Sequence, residues 1–214
     1  MLDRLKSVPP DPILGIIAAH AADPNPNKID LGIGVYKDEN GDTPILECVR
    51  KAERMLESTE TSKTYLGPLG VKGFNSAMTE LIFGADSEVF KAGRAQTIQT
   101  PGGTGALRVA ADLVKSADSG ATVWASDPTW ANHYAIYPAA GLELGDYPYF
   151  DQDSSSLRYD DMMDALARKG PGDVVLFHAC CHNPCGVSPN PEQWEAITDL
   201  AAERQFLPMV DMAY

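Results

Sequence analysis

The stretch ATVWASDPTWANHYAIYPAAGLELGDYPYF, residues 121–150, decides the fold. ATVWASD (121–127) is a β-branched and apolar run that ends in a turn, and NHYAIYPAAG (132–141) carries its apolar residues at helical spacing. LELGDYPYF (142–150) is extended again. The same alternation continues on both sides. RAQTIQT (94–100) reads as a strand and GTGALRVAADLVKSA (103–117) as a helix. SLRYDDMMDALARKG (156–170) is helical, DVVLFHAC (173–180) a strand, PEQWEAITDLAAERQ (191–205) a helix and FLPMVDMAY (206–214) a strand. Strands alternating with helices predict an α/β fold, a three-layer α/β/α sandwich with a mostly parallel sheet. In such sheets ligands bind beyond the carboxyl ends of the strands.

The unusual residues fall just after strands. They are Gly102-Gly103-Thr104-Gly105, Asp127-Pro128-Thr129-Trp130, His182-Asn183-Pro184-Cys185-Gly186 and Asp211 to Tyr214. A parallel sheet would bring all four groups to one crevice.

Ahead of this core, a Pro- and Asp-rich arm encloses a short apolar helix, ILGIIAAHAA, from Ile13. IDLGIGVY (29–36) is extended, KDENGDTP a polar turn, and CVRKAERMLES and GVKGFNSAMTELIFG are surface helices. Residues 1–37 are expected to form the arm and the start of a small domain, and 38–214 the first part of a large domain.

The chain has 214 residues and a formal net charge of −13. Such a surface repels phosphate backbones, so nucleic acid is not an expected partner. No run reaches the roughly 20 apolar residues that span a bilayer, and the first residues lack a secretory pattern. A cytoplasmic protein is the expectation. Cys180, Cys181 and Cys185 crowd into six residues, which fits reduced thiols better than a disulfide framework.

Each motif has a plain reading beside the functional one. The glycine turn could simply be a tight connection, or its backbone amides at a helix N-terminus could bind an anion. It also approaches a dinucleotide fingerprint, with Asp127 ending the next strand, although Arg108 stands where a third small residue belongs. Trp130 could stack on a heteroaromatic ring or fill the core. Cys180 and Cys181, adjacent on a strand, would face opposite ways and could not share a metal. Asn183 offers an amide. Cys185 as a nucleophile would need a base, and only His182 is near in sequence. Asp211 ends an apolar strand, where a carboxylate must be paired or cap a helix.

Taken together, DPILG (from Asp11), LGIGVYKDENGDTPIL (from Leu31), TYLG (from Thr64), QTPGGTGALRVAADL (from Gln99), SDPTWANH (from Ser126), GDVVLFHACCHNPCG (from Gly172) and the final DMAY resemble the aspartate/aromatic amino acid aminotransferases. These are class I of the fold-type I pyridoxal-phosphate enzymes. The resemblance runs along essentially the whole chain. It implies pyridoxal 5'-phosphate as cofactor, with Gly103 and Thr104 on its phosphate and Trp130 stacked on its ring. It implies Asn183 and Tyr214 on the phenolic oxygen and Asp211 on the ring nitrogen. His133 and His178 would hold and tune Asp211, and Tyr65 would reach the phosphate across a homodimer. Ile13, Leu14, Ile33 and Gly34, with Trp130 and Asn183, would meet the substrate.

The implied reaction moves an amino group from aspartate or an aromatic amino acid to 2-oxoglutarate by a ping-pong cycle, with amino acids and 2-oxo acids as substrates. SDPTW and HACCHNP lean toward the aromatic-using bacterial members. Cys185 departs from the family's usual threonine. The Schiff-base lysine and the arginines for phosphate and α-carboxylate are expected beyond Tyr214, so the chain reads as an N-terminal half, inactive alone. The alternatives are a nicotinamide-dinucleotide oxidoreductase, a regulatory half-protein, and a fold relative acting as β-lyase or decarboxylase.

Overall fold

The computed structural model describes residues 12–30, 32 and 34–214. The chain divides into two compact units, Met1–Tyr65 and Leu66–Tyr214.

In the first unit, helix α1 (Pro12–Ala22) ends at the Asp23 turn. There the Lys28 ammonium donates to the His20 and Asp23 carbonyls at 2.6 and 2.8 Å, satisfying acceptors that a helix end leaves open. The polar turn forms as expected: the Asp38 carboxylate accepts from the backbone of Asn40 and Asp42, and Gly41 takes φ +82°. Helix α2 (Glu47–Thr59) has no buried residue. Leu31 and Ile33 of the extended run lie outside the described residues.

The second unit begins with α3 (Lys72–Phe83) and α4 (Glu88–Lys91), followed by α5 (Gly102–Ala117) and β1 (Thr122–Asp127). Then come α6 (His133–Ala139), β2 (Glu143–Pro148), β3 (Phe150–Asp151), β4 (Ser156–Leu157) and α7 (Tyr159–Leu166). It closes with β5 (Asp173–His178), α8 (Pro191–Arg204) and β6 (Leu207–Asp211). The main sheet has the order β2-β1-β5-β6, every pair parallel, and β3 and β4 form a small antiparallel ribbon.

Side-chain alternation along the strands builds the two outer layers. Val123 and Ala125 of β1 and Val174 and Leu176 of β5 pack with Leu107, Ala111 and Val114 of α5 and Ile136 and Tyr137 of α6. Trp124, Val175 and Phe177 face the other way, onto Met162 and Leu166 of α7 and Ile197 and Ala201 of α8. Buried on both faces, β5 reads as the near-continuous apolar run that a parallel strand requires. The α/β/α sandwich follows. Asn190 and Gln193 close a reciprocal cap at the start of α8, with Pro191 at its first position.

Three local expectations are corrected. Residues 94–100 form no strand, because the edges of the described sheet are β2 and β6 and neither pairs with them. Gln99 instead ties the segment to the 69–71 loop, its N–H donating to the Leu69 carbonyl and its amide oxygen accepting from Val71. LELGDYPYF is not one strand either: β2 stops at Pro148 and Phe150 starts the ribbon. DVVLFHAC ends its ladder at His178, opposite Asp211, so Cys180 and Cys181 lie past the strand. Cys181 turns left-handed there at φ +48°, and the strand-alternation argument against a shared metal does not apply to this pair. Among the described residues, no group of three or more His, Cys, Asp or Glu could hold a metal ion.

Candidate active site

The carboxyl ends of β5 and β6, the loop after β1 and the start of α5 border one cavity of about 280 Å³. It is lined by Gly103, Thr104, Trp130, Asn183, Asp211 and Tyr214, among others. Three of the four motif groups reach it from a strand end, while the glycine turn arrives from an unpaired segment. Asp127 is not part of its lining, which removes the carboxylate that the dinucleotide reading needed.

The glycines can be separated by cause. Gly102 has φ +73°, a conformation side chains resist. A Cβ on Gly105 would sit 3.0 Å from Pro101 Cδ, so packing of the turn explains that glycine. A Cβ on Gly103 would meet nothing within 4 Å. No packing demand accounts for Gly103, which faces the cavity at the N-terminus of the 16-residue helix α5. The helix has no side-chain cap there, and although the Gly102 N–H is taken by the Thr100 carbonyl, the next amides and the dipole are open to an anion.

Trp130 is partly buried, joining the core beneath it and the cavity wall above. Its ring meets His133 edge-on at 5.4 Å between centroids. Asn183 and Tyr214 meet on another wall, with the Asn183 amide nitrogen 3.5 Å from the Tyr214 oxygen.

Asp211 carries the most structure behind it. The β5–β6 register sets it beside His178. Its Oδ2 lies 3.1 Å from His133 Nε2. A carboxylate only accepts, so Nε2 bears the proton and Nδ1 of a singly protonated ring must accept. Thr129 Oγ1, 2.8 Å away, is that donor. Having given its proton, the hydroxyl accepts from His178 Nε2 at 3.0 Å, and His178 Nδ1 in turn faces the Asn183 backbone N–H at 3.4 Å. Both nitrogens of each histidine and the Thr129 hydroxyl are partnered, and every donor points toward Asp211. Among the described residues the side-chain hydrogen bonding of Asp211 uses Oδ2 alone, while the residue itself lines the cavity.

His133 and His178 were nominated from sequence, but Thr129 was not. It lies in the same loop as Trp130 with no spacing that marks it. The sequence offers His182 as a metal ligand with Cys180, Cys181 and Cys185, or as a base for Cys185. Its Nδ1 is 3.1 Å from the Cys185 sulfur, but burial pushes that thiol up, away from a reactive thiolate.

Burial, with His133 nearby, pushes His178 down to about 4. Burial, with His178 beside it, does the same to His182. Both values lie below the 6.5 of an ordinary imidazole, so the unfolded chain takes up protons first as pH falls. Their contribution to stability is complete above about pH 6.5 and is lost progressively toward pH 4. Urea unfolding midpoints should therefore fall from pH 7 to pH 4.5, and His178→Asn should flatten the slope. Equal slopes in parent and variant would contradict this.

Of the other nominated residues, Gly34 and Tyr65 belong to the first unit and are exposed. Ile13 and Leu14 lie within α1, but their side chains, like the whole of Ile33, are outside the described residues.

The profile of aminotransferase class I and II matches residues 26–214. The chain belongs to that family. It is 48% identical over 214 residues to the aspartate aminotransferase of Escherichia coli (strain K12), covering 100% of this chain and 54% of that protein. The crystal structure of an aromatic amino acid aminotransferase from Burkholderia cenocepacia J2315 superposes with a TM-score of 0.95 at 41% identity, again over 100% of this chain and 54% of the other. An aromatic-amino-acid aminotransferase from Burkholderia pseudomallei, solved covalently bound to pyridoxal phosphate, gives 0.94 at 39% identity, with the same shares covered. The chain thus spans about half the length of the relatives it matches. The aminotransferase likeness confirms the fold-type I architecture expected from the sequence.

Proposed function

We propose that the protein carrying this chain is a pyridoxal-phosphate-dependent aminotransferase of the aspartate/aromatic type. It moves the amino group of aspartate or an aromatic amino acid to 2-oxoglutarate in a two-stage ping-pong cycle. The observation that carries this reading is the convergence on one cavity of four features: an uncapped helix N-terminus, an indole, an amide–phenol pair and a carboxylate backed by a hydrogen-bonded relay.

The donor set fits the cofactor group by group. The open amides of Gly103 and Thr104 and the Thr104 hydroxyl suit a phosphate. Trp130 offers a flat face to the pyridine ring. Asn183 and Tyr214 can donate to a phenolic oxygen. Asp211 favours a protonated ring nitrogen, because an anion beside a basic site stabilises its charged form. When bound, pyridoxal phosphate supplies an electron sink for negative charge developing at the substrate α-carbon. Asp211 keeps that sink effective, and the relay from Asn183 through His178, Thr129 and His133 keeps Asp211 oriented as an acceptor. Trp130 and Asn183 also border the space where a substrate carboxylate would lie.

Ile13, Leu14, Ile33 and Gly34 closing over the substrate, Tyr65 reaching the phosphate across a homodimer, and residues 1–37 forming the arm and start of a small domain belong to the same proposal. A cytoplasmic setting also belongs to it. Among the described residues, no helix is long and apolar enough to cross a membrane, and no lysine lines the cavity.

Titration with pyridoxal phosphate should give saturable quenching of tryptophan fluorescence, largely lost in Trp130→Phe although Trp124 and Trp194 remain. Inorganic phosphate should compete. Amino transfer assayed with aspartate and tyrosine against 2-oxoglutarate should give parallel double-reciprocal plots. Absence of saturable binding, or quenching that is unchanged in the variant, would sink the reading.

A further inference from the structure

Beside the relay to Asp211 runs a second buried polar chain that the reaction does not use directly. His182 lies 3.1 Å from Cys185 Sγ through Nδ1 and 2.8 Å from Ser126 Oγ through Nε2. Its ring is clamped face to face between Tyr149, at 4.2 Å and 16°, and His178, at 4.1 Å and 29°. Stacking on His178 joins this second chain to the first.

A neutral imidazole has two tautomers, and its partners choose between them. The Cys185 thiol proton has His182 Nδ1 as its nearer acceptor, so the ring proton belongs on Nε2, which faces Ser126 Oγ. Ser126 Oγ then accepts from His182 Nε2–H. His182 Nδ1 is left as an acceptor, and the Cys185 thiol is the donor facing it. The thiol's other acceptor, the Val187 carbonyl, is 3.9 Å away and a poorer partner. Burial keeps the thiol protonated, as this arrangement needs.

We propose that Cys185 is a positioning residue: its thiol proton holds His182 as the Nε2–H tautomer, stacked on His178, and so keeps His178 donating through Thr129 and His133 to Asp211. The consequence for the cofactor rests on the function proposed above; the tautomer does not. A hydroxyl at this position would donate in the same place, and the thiol is a weaker donor within reach of the same nitrogen.

The test is a long-range 1H–15N spectrum of the histidine side chains at pH 7. It is recorded on the protein carrying this chain before and after addition of pyridoxal phosphate. The parent should show His182 as Nε2–H. Cys185→Ala should turn that signal into a mixture of tautomers and shift the His178 Nε2 resonance, and Cys185→Ser should restore both. An Nδ1–H form of His182 in the parent would overturn the proposal, and this arm needs no variant to fold. A Cys185→Ala spectrum with either His182 or His178 unmoved would overturn it too, as would failure of serine to restore them. If the tautomers respond as expected but pyridoxal phosphate changes nothing, the cofactor reading fails and the role of Cys185 in setting His182 stands.

Discussion

Asp211→Ala is expected to lower kcat/KM for amino transfer by roughly 10²–10³-fold, the scale on which removing one preorganised electrostatic partner slows an enzyme. Asp211 ends β6 directly opposite His178, with one carboxylate oxygen held by His133. The alanine removes the acceptor on which the whole relay converges. The relay has no other terminus, so the His133 Nε2 proton would point into the cavity. A cationic ring nitrogen would then meet a donor instead of an anion, and the charged form would be disfavoured. Asp211→Asn keeps the shape and separates the two effects: its amide oxygen can still accept from His133, but its charge is gone. Steady-state kinetics with aspartate and tyrosine check the prediction. A loss shared by both variants assigns the effect to charge, whereas an alanine variant as active as the parent would remove Asp211 from the mechanism.

Thr129→Val should carry the largest cost to stability of any single-atom change around the site. Its hydroxyl is buried and serves two histidines at once, giving a proton to His133 Nδ1 and taking one from His178 Nε2. Valine has the same shape but leaves both ring nitrogens buried and unpartnered. At about 1–3 kcal/mol for each of the two unsatisfied buried groups, the expected loss is about 2–6 kcal/mol in urea unfolding at pH 7. Thr129→Ser, which keeps the hydroxyl, should recover most of it. A valine variant as stable as the parent would mean that the two rings find other partners. The relay would then be a chance alignment, and the argument for Asp211 would rest on register alone.

The layers of the fold were legible because burial leaves a local trace. Apolar spacing marked each helix from α5 to α8 and each strand of the sheet, since a helix face repeats near 3.6 residues and a strand face every two. The trace failed at residues 94–100, where an extended apolar pattern met no neighbouring strand in the described sheet. Extension is local, but pairing is not. It failed again past His178, where the apolar run continues in sequence after the ladder has lost its partner.

At the site, motif identity carried the chemistry of Gly103, Thr104, Trp130, Asn183, Asp211 and Tyr214, which the fold then brings to a single cavity. Ser126, Thr129 and Tyr147 were given no role by their motifs, and His182 was given a different one. Their roles consist entirely of what they touch, and their partners are separated by up to 56 residues of chain.

The sequence by itself determined the class of fold, the family and the types of group available to a phosphate, an aromatic ring and a ring nitrogen, because residue type and local periodicity survive without a neighbour. Only the tertiary structure decided that Asp211 stands beside His178, that Thr129 bridges two histidines, and that a thiol at position 185 faces an imidazole. Strand register and the direction of each hydrogen bond depend on partners distant in the chain, and these are set when the sheet and its helices pack together.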